Sequence, residues 1–212
     1  MGNNSSSKEN ILKKIRKALE TPVPLPFTRS EGNSTVYHPA ADDLTVVFAE
    51  EFTKLLGRFA FFPNHIELVK QLEQLIRQEQ WREIYCAEEG LKMLLQKNGF
   101  GAFSNKSLAQ SDVAFTTCEL LVARTGTIVL SSAQPEGRTA SVYAPIHVCI
   151  AETSQIVYDI DDAIYYLKEK YGIHIPSMIS FATGPSRTAD IEKTLVVGVH
   201  GPKQVYCLLA DQ

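Results

Sequence analysis

The strongest constraint on the fold is an alternation that begins near residue 43. Segments whose apolar residues recur every three or four positions trade places with short, nearly continuous apolar runs. Residues 43–57 place Leu44, Val47, Phe48, Phe52 and Leu55 on one helical face, and residues 65–79 do the same with Ile66, Val69, Leu72, Leu75 and Ile76. Residues 88–97 read as a further helix closed by Asn98-Gly99, and residues 160–171 as another, capped near Asp159 or Asp161 and closed by Gly172. Between them, residues 60–62, 83–87, 112–117, 128–130, 146–150, 177–182 and 204–210 read as strands. Helices and strands joined by short links predict an α/β fold: a three-layer α/β/α domain with a mostly parallel sheet. Right-handed crossovers then set the loops that follow the strands along one edge, where open α/β sheets bind ligands.

The domain is expected to span 42–212. Residues 1–41 form a leader: a polar start, a basic amphipathic helix over 8–19 with Ile11, Leu12, Ile15 and Leu19 on one stripe, and the extended Thr21-Pro-Val-Pro-Leu-Pro26 linker. A net charge of −3 offers nucleic acid no electrostatic footprint. No run of about 18 apolar residues is present to span a membrane, and no apolar signal-peptide core occurs, so a cytoplasmic protein is expected. Cys86, Cys118, Cys149 and Cys207 lie far apart without a C-x-x-C pair, and no two histidines have metal-ligand spacing. The expectation is that this chain binds no metal and no cofactor of its own.

Chemistry concentrates at Thr183-Gly184-Pro185-Ser186-Arg187-Thr188-Ala189-Asp190-Ile191-Glu192, between two apolar segments. Gly184-Pro185 predicts a turn. Ser186 and Thr188 read as N-caps of a short helix, and Arg187 offers a forked cation beside free backbone N–H groups. Asp190 is placed to orient Arg187. A second turn, His200-Gly201-Pro202-Lys203, adds a titratable ring and a cation. His200 is a candidate acid/base, whereas His147, inside a strand, reads as a core residue. A third candidate is the loop from Thr116-Thr117-Cys118-Glu119 to Ala123-Arg124-Thr125-Gly126-Thr127. There Thr125 and Gly126 are candidate anion ligands and Glu119 is a candidate nucleophile. No G-x-G-x-x-G, G-x-x-x-x-G-K-[ST] or G-x-S-x-G occurs, so dinucleotide, P-loop and hydrolase-elbow chemistry have no support.

These segments carry a resemblance. Residues 184–192 followed by Gly198-Val-His-Gly-Pro202, the internal Ala123-Arg-Thr-Gly-Thr127 with Ile128-Val-Leu130, and the leader Ile11-Leu-Lys-Lys-Ile-Arg-Lys-Ala-Leu19 together resemble the lactate-utilisation protein C family, the LUD domain. The family pattern has an acidic residue where this chain has Arg124, so no role resting on that carboxylate carries over. The resemblance implies the fold shared by ribose-5-phosphate isomerase and CoA transferases. It implies a subunit of bacterial L-lactate oxidation to pyruvate, with iron–sulfur clusters on partner subunits and homo-oligomerisation open. The alternatives are a stand-alone enzyme for a phosphorylated or CoA-linked substrate, and a non-catalytic ligand-binding or assembly protein.

Overall fold

The computed structural model describes residues 4–19, 43–189 and 195–211. Contacts divide the chain into Met1–Pro39 and Ala40–Gln212. In the first unit, helix α1 (Asn4–Leu19) leaves Ile11, Leu12 and Ile15 exposed.

In the second unit, helices and strands follow the expected alternation: α2 (Leu44–Lys54), β1 (Arg58–Phe62), α3 (His65–Glu79), β2 (Ile84–Cys86), α4 (Glu89–Lys97), β3 (Val113–Thr116), β4 (Leu120–Val122), β5 (Thr127–Ser131), α5 (Ala140–Tyr143), β6 (Ile146–Glu152), β7 (Ile156–Val157), α6 (Ile160–Tyr171), β8 (Ile179–Ala182), β9 (Arg187–Ala189), β10 (Leu195–Val197) and β11 (Gln204–Ala210). The helix ends are set by local chemistry. The Asn64 side chain accepts the Glu67 N–H at 2.9 Å to start α3, and Asp159 with Asp162 forms a capping box that starts α6. None of the described helices is long and apolar enough to cross a membrane.

The central sheet is parallel throughout, in the order β1-β11-β6-β3-β2. β3 is buried along its whole length, which explains its unbroken apolar sequence. One face of this sheet packs on α3 and α4 through Leu68, Leu72, Leu91 and Leu95. The other face packs on α2 and on a second, four-stranded sheet, β7-β4-β5-β8, through Phe48, Phe52, Leu121, Ile128 and Leu130. Helix α6 covers the outer side of that second sheet. The α/β class and the parallel central sheet match the sequence expectation. The division of strands between two sheets was not visible there, because β4 and β7 are three and two residues long and too short to show a period.

The motif after β8 differs from expectation. Ser186 and Thr188 do not cap a helix. Arg187–Ala189 is a strand paired antiparallel with Leu195–Val197, with Thr188 opposite Val196. The β-branched residues at 188, 196 and 197 favour that pairing over a helical turn. Asp190, Ile191 and Glu192 lie outside the described residues.

Candidate functional site

The two turns singled out in sequence are joined by the backbone. Gly184 ends β8 with a left-handed φ of +77°. The Ser186 N–H donates to the Pro202 carbonyl at 3.0 Å, and the Gly198 N–H donates to the Ser186 carbonyl at 2.8 Å. Gly201 approaches so closely that a Cβ there would sit 2.7 Å from Ser186 Cβ. The Lys203 N–H then donates to the Pro145 carbonyl at 2.8 Å, fixing the second turn against the entry to β6.

The joined turns wall a cavity of about 270 Å³ together with Leu130 and Ser180 of the second sheet and His147 and Val205 of the central sheet. His200 and Gly201 also border an adjoining cavity of about 460 Å³ that reaches Tyr143 and Lys203. His200 is exposed between the two. His147 and Val205 are register partners at the starts of β6 and β11. The cleft therefore lies between the two sheets at the amino ends of these strands, because both turns lead into strands. Sequence reasoning placed ligand loops at the opposite, carboxyl edge.

His147 is buried, as a strand histidine in the core is expected to be, and it also lines this cavity. Its ring is buried, Nε2 is 2.8 Å from Thr116 Oγ1, and burial pushes its pKa down to about 4. It is a neutral imidazole at pH 7, able to donate from one nitrogen and accept at the other. Only its coincidence with two Gly-Pro-rich turns in space distinguishes it from a core histidine.

The other candidates separate. Arg187 Nη2 donates to the Leu55 carbonyl at the C-terminal end of α2 and does not line the cavity. A cation there complements the exposed carbonyl end of the helix. Arg187→Ala is expected to lower stability by about 1 kcal/mol in urea unfolding. Thr125 and Gly126 form the turn between β4 and β5. Thr125 Oγ1 is 2.7 Å from Thr127 Oγ1, which is 3.0 Å from Thr183 Oγ1, so a file of hydroxyls runs from this turn to the cleft wall. Gly126 itself is pressed against α2. Arg124 pairs with Asp159 at 2.7 Å and holds that N-cap carboxyl below the usual range.

Glu119 lies away from the His200 turn, in a buried polar network. Its Oε1 accepts from Ser131 Oγ at 2.6 Å and Tyr171 OH at 2.7 Å, and its Oε2 accepts from Lys170 Nζ at 2.7 Å. Burial alone would raise its pKa, but these three donors outweigh it and hold the carboxyl below its ordinary value. A carboxylate so engaged ties β4 and β5 to α6. The network continues through Gln134, which accepts the Ser131 N–H at 2.9 Å and donates to Thr117 Oγ1 at 3.2 Å. Thr117 in turn donates to Glu88 through its N–H at 2.9 Å and its hydroxyl at 2.5 Å. Burial raises the Glu88 pKa against these two bonds. Two buried carboxyls in one network are thus displaced in opposite directions. The four cysteines are free and buried, and burial pushes the Cys86 thiol up to about 11. Among the described residues, no three His, Cys, Asp or Glu side chains are grouped to hold a metal ion.

The LUD domain family model matches residues 47–210. The chain belongs to the LUD domain family. A lactate utilization protein C from Anoxybacillus flavithermus is 29% identical over 219 residues, covering 96% of this chain and 98% of that protein. A lactate utilization protein C from Bacillus subtilis is 36% identical over 141 residues, 59% of each chain. An uncharacterised protein from Neisseria meningitidis is 26% identical across 96% of this chain and 93% of its own length. The crystal structure of a DUF162 family protein from Deinococcus radiodurans superposes with a TM-score of 0.54 at 17% identity, covering 87% of this chain and 99% of that one. That likeness supports the α/β fold. The Anoxybacillus and Bacillus relatives are named for lactate utilisation.

Proposed function

We propose that this LUD domain protein is a subunit of a bacterial L-lactate oxidation system and that its cleft binds a small carboxylate, lactate or pyruvate. The observation that carries the cleft is the convergence of the Gly184-Pro185-Ser186 and His200-Gly201-Pro202 turns on one cavity that also holds His147. The hydroxyls of Ser180 and Ser186, the neutral His147 imidazole and the His200 ring at the mouth offer hydrogen bonds for a carboxylate and a neighbouring hydroxyl or carbonyl. Lys203 in the adjoining cavity adds positive charge. Leu130, Ala182 and Val205 suit a methyl group.

Oxidation of the hydroxyl to a carbonyl releases two electrons and two protons; in this reading the electrons pass one at a time to iron–sulfur centres on partner subunits and the protons pass to water. The site would be cytoplasmic, where lactate meets its oxidising machinery. What this chain contributes is binding and orientation.

Calorimetric titration with L-lactate and pyruvate tests the cleft. Gly201→Val, which drives a side chain into Ser186, is expected to weaken binding at least about tenfold while the chain stays folded, as expected when a pocket wall is displaced. Equal affinity in the variant would contradict the reading. Affinity capture from lactate-grown cells, with iron and lactate-dependent electron transfer measured in the eluate, tests the partners. An iron-free eluate would count against them.

A further inference from the structure

We propose that Thr116, which does not line the cavity itself, makes His147 an N–H donor at the inner wall of the cleft, so that the cleft takes a ligand presenting an oxygen acceptor there, a carboxylate or a ketone. The inference deepens the proposed function and rests on it for the ligand, whereas the donor is a property of the protein without ligand.

The strands bring the two side chains together. In the parallel pair of β3 and β6, Ala114 is the register partner of His147, and Thr116 is that of Cys149. Side chains alternate across a sheet, so Ala114, Thr116, His147 and Cys149 share one face. Thr116 is 3% and His147 1% exposed. Oγ1 of the one lies 2.8 Å from Nε2 of the other. The second ring nitrogen is placed differently. Nδ1 makes no hydrogen bond among the described residues, yet it is not one of the sealed polar atoms, so it opens onto the cavity that His147 lines.

The hydroxyl decides which nitrogen carries the hydrogen. Burial keeps the ring neutral, so it holds one proton. With that proton on Nε2, directed at Oγ1, the Thr116 hydroxyl has to turn its own proton elsewhere. Among the described residues Oγ1 has no partner but Nε2, so the hydroxyl proton becomes a buried donor without an acceptor, an arrangement that folded proteins avoid. With the hydroxyl donating to Nε2 instead, both buried atoms are used, and the imidazole proton sits on Nδ1 facing the cavity.

An N–H in that position selects the ligand. An oxygen that accepts completes the bond, whereas an ammonium sets donor against donor. In lactate oxidation the donor can hold the same oxygen as hydroxyl and as ketone. It cannot take the hydroxyl proton, because Nδ1 already carries one and Nε2 is held by Thr116. His147 therefore binds and orients, and Thr116 is its positioning residue.

Nitrogen-15 NMR of the histidine rings in the full chain at pH 7, before any ligand is added, tests this. His147 is expected to show a protonated, pyrrole-like Nδ1 and an unprotonated, pyridine-like Nε2. Thr116→Ser keeps the hydroxyl and should keep that pattern. Thr116→Val keeps the shape without the hydroxyl. It should give a mixture of tautomers and weaken pyruvate binding about three- to tenfold, the worth of one hydrogen bond. Isopropylamine, an ammonium at pH 7 that presents only donors, should leave the His147 signals unmoved. A pyrrole-like Nε2 in the wild-type chain, a pattern that Thr116→Val leaves unchanged, or saturable shifts with isopropylamine would each overturn the proposal. The expected pattern without binding of lactate or pyruvate would instead sink the carboxylate reading and leave the donor in place.

Discussion

Gly126→Ala is expected to destabilise the chain by about 3–5 kcal/mol, a large part of the 5–15 kcal/mol that holds a typical domain folded. Two costs combine. Gly126 has φ +56°, where an L side chain costs about 1–2 kcal/mol. A Cβ there would lie 2.3 Å from Phe52 N and 2.6 Å from Glu51 C, both backbone atoms of α2. A helix backbone cannot rotate aside like a side chain, so α2 must move off the second sheet. That movement opens the core around Phe48 and Phe52. Gly99 is the control. It has φ +101° with open space where a Cβ would go. Gly99→Ala should therefore show backbone strain without the clash, about 1–2 kcal/mol. Urea unfolding of both variants separates the two costs. Equal losses would mean that α2 does not press on Gly126.

The second large effect belongs to the buried carboxyls. Glu119→Ala is expected to cost about 3 kcal/mol at pH 7, since it strands Ser131 and Tyr171 and removes the partner of Lys170. The Lys170 side chain is 44% exposed and can turn to water, so most of the loss comes from the two hydroxyls. Glu88→Gln is expected to do the reverse and raise stability at pH 7. The signs follow from linkage. Glu119 has a folded pKa below its unfolded value of about 4.3, so its contribution is present above that value and fades as pH falls through the folded pKa. Glu88 has a folded pKa above its unfolded value, so its contribution is present below about 4.3 and is lost as pH rises through the folded pKa. Unfolding of wild type, Glu119→Gln and Glu88→Gln at pH 4 and pH 7 checks this. The Glu119→Gln deficit should shrink at pH 4, and the Glu88→Gln gain should appear only at pH 7. A gain from Glu119→Gln at pH 7 would contradict the network.

Elements specified by neighbouring residues were legible in the sequence. The helical readings at 65–79 and 160–171 coincide with α3 and α6, because apolar spacing and caps act within a few turns. The turns at Gly184 and His200 were legible because glycine and proline there restrict the backbone directly. What was hidden depends on partners distant in the chain. Arg187 looked like an anion ligand because its acceptor, the Leu55 carbonyl, is 132 residues away. Glu88 gave no signal because Thr117, which makes it notable, belongs to another loop. Gly126 resembled a ligand-binding glycine, yet the helix it accommodates comes from far upstream. His147 was indistinguishable from a core residue until the two turns closed over it.

The central claim is that the cleft between the sheets holds a small carboxylate, and NMR of the histidine rings during titration with L-lactate tests it most directly. His147 and His200 are expected to shift together and saturably as lactate is added. Burial holds the His147 pKa low, and the ring is expected to remain neutral at pH 7. His174, exposed and outside the cleft, should not move. Unchanged His147 and His200 signals at saturating lactate and pyruvate, or shifts that persist in Gly201→Val, would contradict the account.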